Sequence, residues 1–183
     1  MELLRQGGVI AYPTDSAYAL GCHIGDKKAL DRIRQIRRVD GKHNFTLVCR
    51  DLSELSTYAK VDNSSYRLIN AHTPGPYTFI LPATRKVPKR LMHPKQRTIV
   101  RDLLHELGKP IMSSTLILPG EAMPMTNAQD IREALEHQLD LVIDGGHRGI
   151  EPTTVVDLTG AQPELRRLDK GDPAPFGAKA GSI

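Results

Sequence analysis

Apolar residues in this chain come in short runs that end abruptly in turns. Val9-Ile10-Ala11-Tyr12 stops at Pro13, Ile111-Met112 gives way to Ser113-Ser114-Thr115, and Leu139 to Ile143 ends just before Gly145-Gly146. Phe45 to Cys49, Tyr77 to Pro82, Pro152 to Leu158 and Leu165 to Leu168 are built the same way. Runs of this length, bounded by Gly, Pro and hydroxyl residues, predict buried strands. Between them lie segments of helical period. Lys27 to Arg38 carries Ala29, Leu30, Ile33 and Ile36 at near-helical spacing behind the candidate cap Asp26. Asp51 to Tyr58, Asp62 to Ala71, Ile99 to Leu107 and a helix capped by Asn127 and running through His137 follow the same logic. The two kinds of segment alternate irregularly. The predicted class is therefore α/β (α+β), a mixed open sheet flanked by helices, rather than a strict βαβ repeat.

The 183 residues suit one domain and bury roughly 70% of the unfolded surface, so the core needs neither disulfide nor metal to hold it. We place that domain at residues 1–170. From Asp169 onward Gly171, Pro173, Pro175, Gly177 and Gly181 dominate, which reads as a flexible tail over 171–183. Cys22 and Cys49 stand apart in apolar strands with no C-x-x-C, as in a reducing compartment. No run approaches the ~18 apolar residues of a membrane span, and the first residues lack a long apolar segment with a cleavage site. A cytoplasmic protein with no membrane partner is expected.

The formal net charge of +4 hides a segregation. Residues 27–42 and 84–101 contain 14 of the 25 basic side chains, with Asp31 and Asp40 as their sole acids, so the rest of the chain is net acidic. Two such segments on one side would present a polyanion-facing surface, whereas each alone reads rather as a solvated helix face or a basic loop. The candidates for RNA contact are Lys27, Lys28, Arg34, Arg38, Lys42, Arg85, Lys86, Lys89 and Arg90. Few aromatics leave little capacity for base stacking, which favours tRNA or double-stranded RNA over single strands.

Standard chemical signatures are missing. The sequence contains no G-x-x-x-x-G-K-[ST], no G-x-G-x-x-G after a strand, no H-E-x-x-H and no G-x-S-x-G. No spacing of its histidines and cysteines suggests a protein-held metal. What remains are hydroxyl-rich strand ends, where open sheets place ligands: Pro13-Thr14-Asp15-Ser16, Thr73 to Thr78, Ser113-Ser114-Thr115 and Pro152-Thr153-Thr154. Each by itself is explained by a turn satisfying its own backbone. Together with the basic segments they favour a pocket for an anionic, nucleotide-sized ligand.

These same residues carry a resemblance. Gly7-Gly8-Val9-Ile10-Ala11-Tyr12-Pro13-Thr14-Asp15-Ser16-Ala17-Tyr18-Ala19-Leu20-Gly21 resembles the opening of the YrdC/Sua5 family, Pro74-Gly75-Pro76-Tyr77-Thr78 its P-G-P-x-T element, Lys109 to Ser114 its K-P strand, and Pro152 to Asp157 its P-S-T-V-V-D. The segments around His43-Asn44-Phe45 and Arg50-Asp51-Leu52 are most similar to the YciO-like branch. The resemblance covers about residues 1 to 170. It implies a YrdC/RibB-like fold with a twisted sheet and a large basic concave cleft. It also implies an ATP-dependent nucleotidyltransferase, in which L-threonine and bicarbonate form a carbamate that attacks the α-phosphate of ATP. Pyrophosphate leaves, and the threonylcarbamoyl-adenylate serves the t6A modification of tRNA, with the proteins of that pathway as partners.

On this reading ATP arrives with Mg²⁺ as a substrate pair, and Thr14, Asp15, Tyr18, Arg37, Thr78, Ser113, Thr153 and Thr154 line the substrate pocket, Arg37 next to the phosphates. The sequence departs from the family pattern in three places. The family's K-x-R falls on Arg37 and Val39, its S-x-N on Thr115-Leu116-Ile117, and its G-x-R-V-P-x-x-P has no counterpart at Thr98-Ile99. Arg38, Lys42 or His43 is the available substitute for the lost arginine. These departures sustain an alternative, an RNA-binding module without the chemistry.

Overall fold

A computed structural model describes residues 2–87 and 98–177. In chain order the elements are α1 (Glu2–Arg5), β1 (Ile10–Pro13), β2 (Tyr18–His23), α2 (Lys27–Arg37), β3 (Thr46–Val48), α3 (Leu52–Tyr58), α4 (Asn63–His72), β4 (Tyr77–Ile80), α5 (Thr98–Leu107), β5 (Ile111–Thr115), α6 (Ala128–Leu135), β6 (Leu141–Val142), β7 (Thr154–Asp157) and β8 (Glu164–Arg167), with a 3-10 turn at Ala174–Phe176. The helices start where the sequence offers side-chain acceptors: Asp26, Asp51, Asp62 and Asn127 accept from the N–H groups of Ala29, Glu54, Ser65 and Gln129. None of the described helices is long and apolar enough to cross a membrane.

The strands form two sheets. The larger has the order β3-β5-β2-β1-β6 and the smaller β4-β7-β8. Most neighbours are antiparallel, but β1 with β6 and β4 with β7 run parallel, so both sheets are mixed. Partners such as β2 and β5 are about ninety residues apart, and local sequence carries no signal of their pairing. The reason for the continuous apolar runs is visible in the packing, because the larger sheet is covered on both faces. Leu20, Cys22, Leu47 and Met112 face Ala29, Ile33 and Ile36 of α2 in one cluster. Ile10, Tyr12, Ala19 and Ile111 face Leu4, Leu104 and Leu107 in the other. The first cluster also takes Phe79 and Val156 from the smaller sheet, joining the two.

Tyr12 shows how closely the strands are fitted. Its ring crosses β2 at Gly21, and its hydroxyl donates to Ser113 Oγ at 2.5 Å. A Cβ at Gly21 would lie 2.7 Å from the Tyr12 ring and 2.9 Å from Ile111 Cγ2, both buried. Gly21→Ala is therefore expected to cost about 1–3 kcal/mol, the usual range for an overfilled core, read as a lower urea midpoint with unchanged slope.

Residues 171–177, which the sequence reads as the start of a tail, are packed. Thr154 Oγ1 accepts from the N–H groups of Asp169 and Gly171 and donates to the Gly171 carbonyl. Tyr77 donates to the Asp172 carbonyl, and Phe176 is 5% exposed among the rings of His72, Tyr77 and Phe79. Composition hid this because a single aromatic side chain anchors a segment otherwise rich in Gly and Pro.

Candidate anion site

The last turn of α2 carries Arg34 and Arg37, a favourable place for cations beside the unpaired carbonyls of a helix C-terminus. The helix ends at Arg38 in the left-handed region, φ 48°, where its N–H returns to the carbonyls of Arg34 and Gln35. The following loop turns back, with the His43 N–H on the Asp40 carbonyl, and lays His43 against the helix end before Phe45 enters the core. β5 supplies the third member. Side chains alternate along a strand, so Ser113 faces Tyr12 while Ser114 faces α2.

The result is a tight triangle. Arg37 Nη1 donates to Ser114 Oγ at 2.5 Å and to His43 Nε2 at 2.9 Å, and Ser114 Oγ lies 3.0 Å from the same ring nitrogen. Arg32 is paired with Asp140 and Arg34 with Asp31, but among the described residues Arg37 has no carboxylate partner, and its Nε has no hydrogen bond. Burial lowers the Arg37 pKa, and burial followed by Arg37 and Arg34 lowers that of His43. A half-buried guanidinium without a counter-ion is a place where an anion is favoured.

A cavity of about 370 Å³ opens at the C-terminal end of β5, where Thr115 follows Ser114, and is within the range of small-molecule sites. Ser16, Thr115 and Thr153 give it hydroxyls, while Ile117, Met123 and Ile150 give it an apolar wall. Thr78 Oγ1 lies 2.7 Å from Thr153 Oγ1, tying β4 to the residue before β7. Among the described residues no group of three or more His, Cys, Asp or Glu is gathered in a way that could hold a metal.

The residues singled out in the sequence are thus divided. Arg37 belongs to the triangle, and Thr153, with Thr78 bonded to it, to the cavity. The others are engaged in the fold. Thr14 Oγ1 donates to the Ala17 carbonyl and accepts from the N–H groups of Ser16 and Ala17, closing its own turn. Tyr18 is buried, donating to the Gly146 carbonyl and accepting from the Gly145 N–H. Ser113 is bonded to Tyr12 and Thr154 to the 169–171 segment. Asp15 is partly exposed, its carbonyl 3.4 Å from Lys170 Nζ. Ser114 was within a recognised strand end but not singled out; only the register of β5 selects it over Ser113. Of the substitutes for the lost arginine, His43 lies against Arg37, whereas Arg38 and Lys42 are exposed. Lys27, Lys28, Arg85 and Lys86 are exposed too, Arg34 is half-buried over the Phe45 ring, and Lys89 and Arg90 lie outside the described residues.

Hydroxyls at the strand ends and an arginine without a carboxylate partner among the described residues are the chemical features of the site. The family model for Sua5/YciO/YrdC, described as telomere recombination, matches residues 2–168. The chain belongs to this family. A protein of Haemophilus influenzae is 55% identical over 186 residues, covering 96% of this chain and 90% of the relative. The crystal structure of Escherichia coli YciO matches with a TM-score of 0.87 at 50% identity, over 96% of this chain and 89% of that one. P. abyssi Sua5 complexed with L-threonine matches with a TM-score of 0.84 at 25% identity, over 92% of this chain but 52% of that longer one. These place the chain on the YciO-like branch.

Proposed function

We propose that this protein binds the polyphosphate of ATP at Arg37 and forms threonylcarbamoyl-adenylate from ATP, L-threonine and bicarbonate in tRNA t6A modification. The observation that carries the reading is the Arg37 guanidinium, half-buried, oriented by Ser114 and His43, and without an acidic partner among the described residues. The solved complex of P. abyssi Sua5 with L-threonine supports the amino-acid substrate. In the reaction, the amine of threonine and bicarbonate give a carbamate and water, a carbamate oxygen bonds to the α-phosphorus, and pyrophosphate leaves. Such a transfer depends on positioning and on neutralising phosphate charge, for which a guanidinium is suited. Mg²⁺ would enter on the nucleotide, with no protein cage needed.

The test is incubation of the pure protein with ATP, L-threonine, bicarbonate and Mg²⁺. Release of pyrophosphate that requires all four supports the reading. ATP binding without pyrophosphate release would reduce the protein to the non-catalytic module, and no ATP binding would remove the site altogether.

RNA contact by the exposed Lys27, Lys28, Arg38, Lys42, Arg85 and Lys86 is the second part of the proposal, with tRNA or double-stranded RNA as partner. Binding through phosphates releases counterions, so affinity is expected to fall steeply and linearly in log–log salt titrations. Affinity unmoved by salt would count against it.

A further inference from the structure

In the triangle at the end of α2, Ser114 Oγ accepts from Arg37 while His43 Nε2 faces both of the other members. Arg37 Nη1 carries only hydrogens, so the His43 Nε2 that faces it at 2.9 Å must present its lone pair, with the ring proton on Nδ1. The Ser114 hydroxyl lies 3.0 Å from that same nitrogen. Two donors therefore converge on a single lone pair. Burial, then Arg37 and Arg34, lower the pKa of the ring, and Asp40 opposes them. From α2 come Arg37 and Arg34, the latter offset by Asp31, and from the loop comes Asp40, while β5 contributes only Ser114 and the chain before β3 only the edge contact with Phe45.

We infer that His43 is the proton acceptor of the anion site, so that an oxyanion docking on Arg37 is accompanied by uptake of one proton at His43 Nε2. The inference rests on the reading of Arg37 as the anion-binding group. An incoming sulfate or phosphate group takes hydrogen bonds from Arg37, draws its N–H away from His43, and adds negative charge next to the ring. The freed nitrogen then gains a proton from solvent and donates it to the anion or to Ser114. When the anion leaves, the proton returns to solvent and the Arg37–His43 contact re-forms.

Linkage fixes the sign. If the anion favours protonated His43, protonation must favour the anion by the same factor, so affinity rises as pH falls. Each unit by which the anion raises the His43 pKa corresponds to about a tenfold gain. Sulfate is a suitable probe because it does not titrate between pH 5 and 8. The experiment is an NMR pH titration of the imidazole signals with and without sulfate, His43→Gln serving to assign the resonance. The expected result is an upward His43 shift of about one unit or more and sulfate affinity about tenfold greater near pH 5 than near pH 8, with no such slope in His43→Gln. Sulfate binding that is lost in Arg37→Ala while the His43 titration stays fixed would overturn the coupling and leave the anion site standing. Absence of sulfate binding at every pH would overturn both.

Discussion

Arg37→Ala is expected to weaken ATP and pyrophosphate binding by about 10- to 100-fold, the equivalent of roughly 1.5–3 kcal/mol for hydrogen bonds to a charged group. The same change should leave the fold almost as stable as before. Its guanidinium is half-buried without a carboxylate partner among the described residues, so its removal relieves a desolvated charge instead of breaking an ion pair. Ser114 Oγ and His43 Nε2 already lie 3.0 Å apart and can satisfy each other once the arginine is gone. The separation of the two effects is the informative part. Loss of affinity with an unchanged thermal midpoint marks a ligand-binding group, whereas loss of both marks a structural one. Arg37→Lys should fall between, keeping the charge but losing the planar fork that holds two oxygens at once.

Phe176→Ala is expected to destabilise the protein by about 3–5 kcal/mol, the range found for large-to-small aromatic substitutions in cores. Phe176 contacts His72 from α4 and Tyr77 and Phe79 from β4, with ring centroids 5.2, 5.2 and 6.1 Å away. Its removal leaves a cavity between a helix and a strand, and loosens the segment whose Gly171 is held by Thr154. Urea unfolding measures the change, and Phe176→Leu should recover a good part of it. A loss below about 1 kcal/mol would place the segment outside the cooperative core.

Those two residues mark how far the sequence could be read. The strands were legible because a sheet covered on both faces demands continuous apolar runs, and the helices because Asp26, Asp51, Asp62 and Asn127 announce their first turns. Arg37 was singled out by its place near the C-terminal end of the predicted helix, where the structure puts it in the last turn of α2. What escaped were contacts between distant residues. Tyr18 reads as a pocket hydroxyl until Gly145 and Gly146 are seen to engage it from about 130 residues away. Thr154 reads the same way until Asp169 and Gly171 close over it. Ser113 and Ser114 are chemically identical, and only the pairing of β5 with β2 and β3 decides which of them meets Arg37. The anchoring of Phe176 was masked by the glycines and prolines around it.

The most direct measurement is the position of bound nucleotide, from crystals grown with Mg²⁺ and a non-hydrolysable ATP analogue. Phosphate oxygens are expected within hydrogen-bond distance of the Arg37 guanidinium, with a lengthened Arg37–His43 contact. A triphosphate bound elsewhere, with the Arg37–Ser114–His43 triangle unchanged, would contradict that expectation.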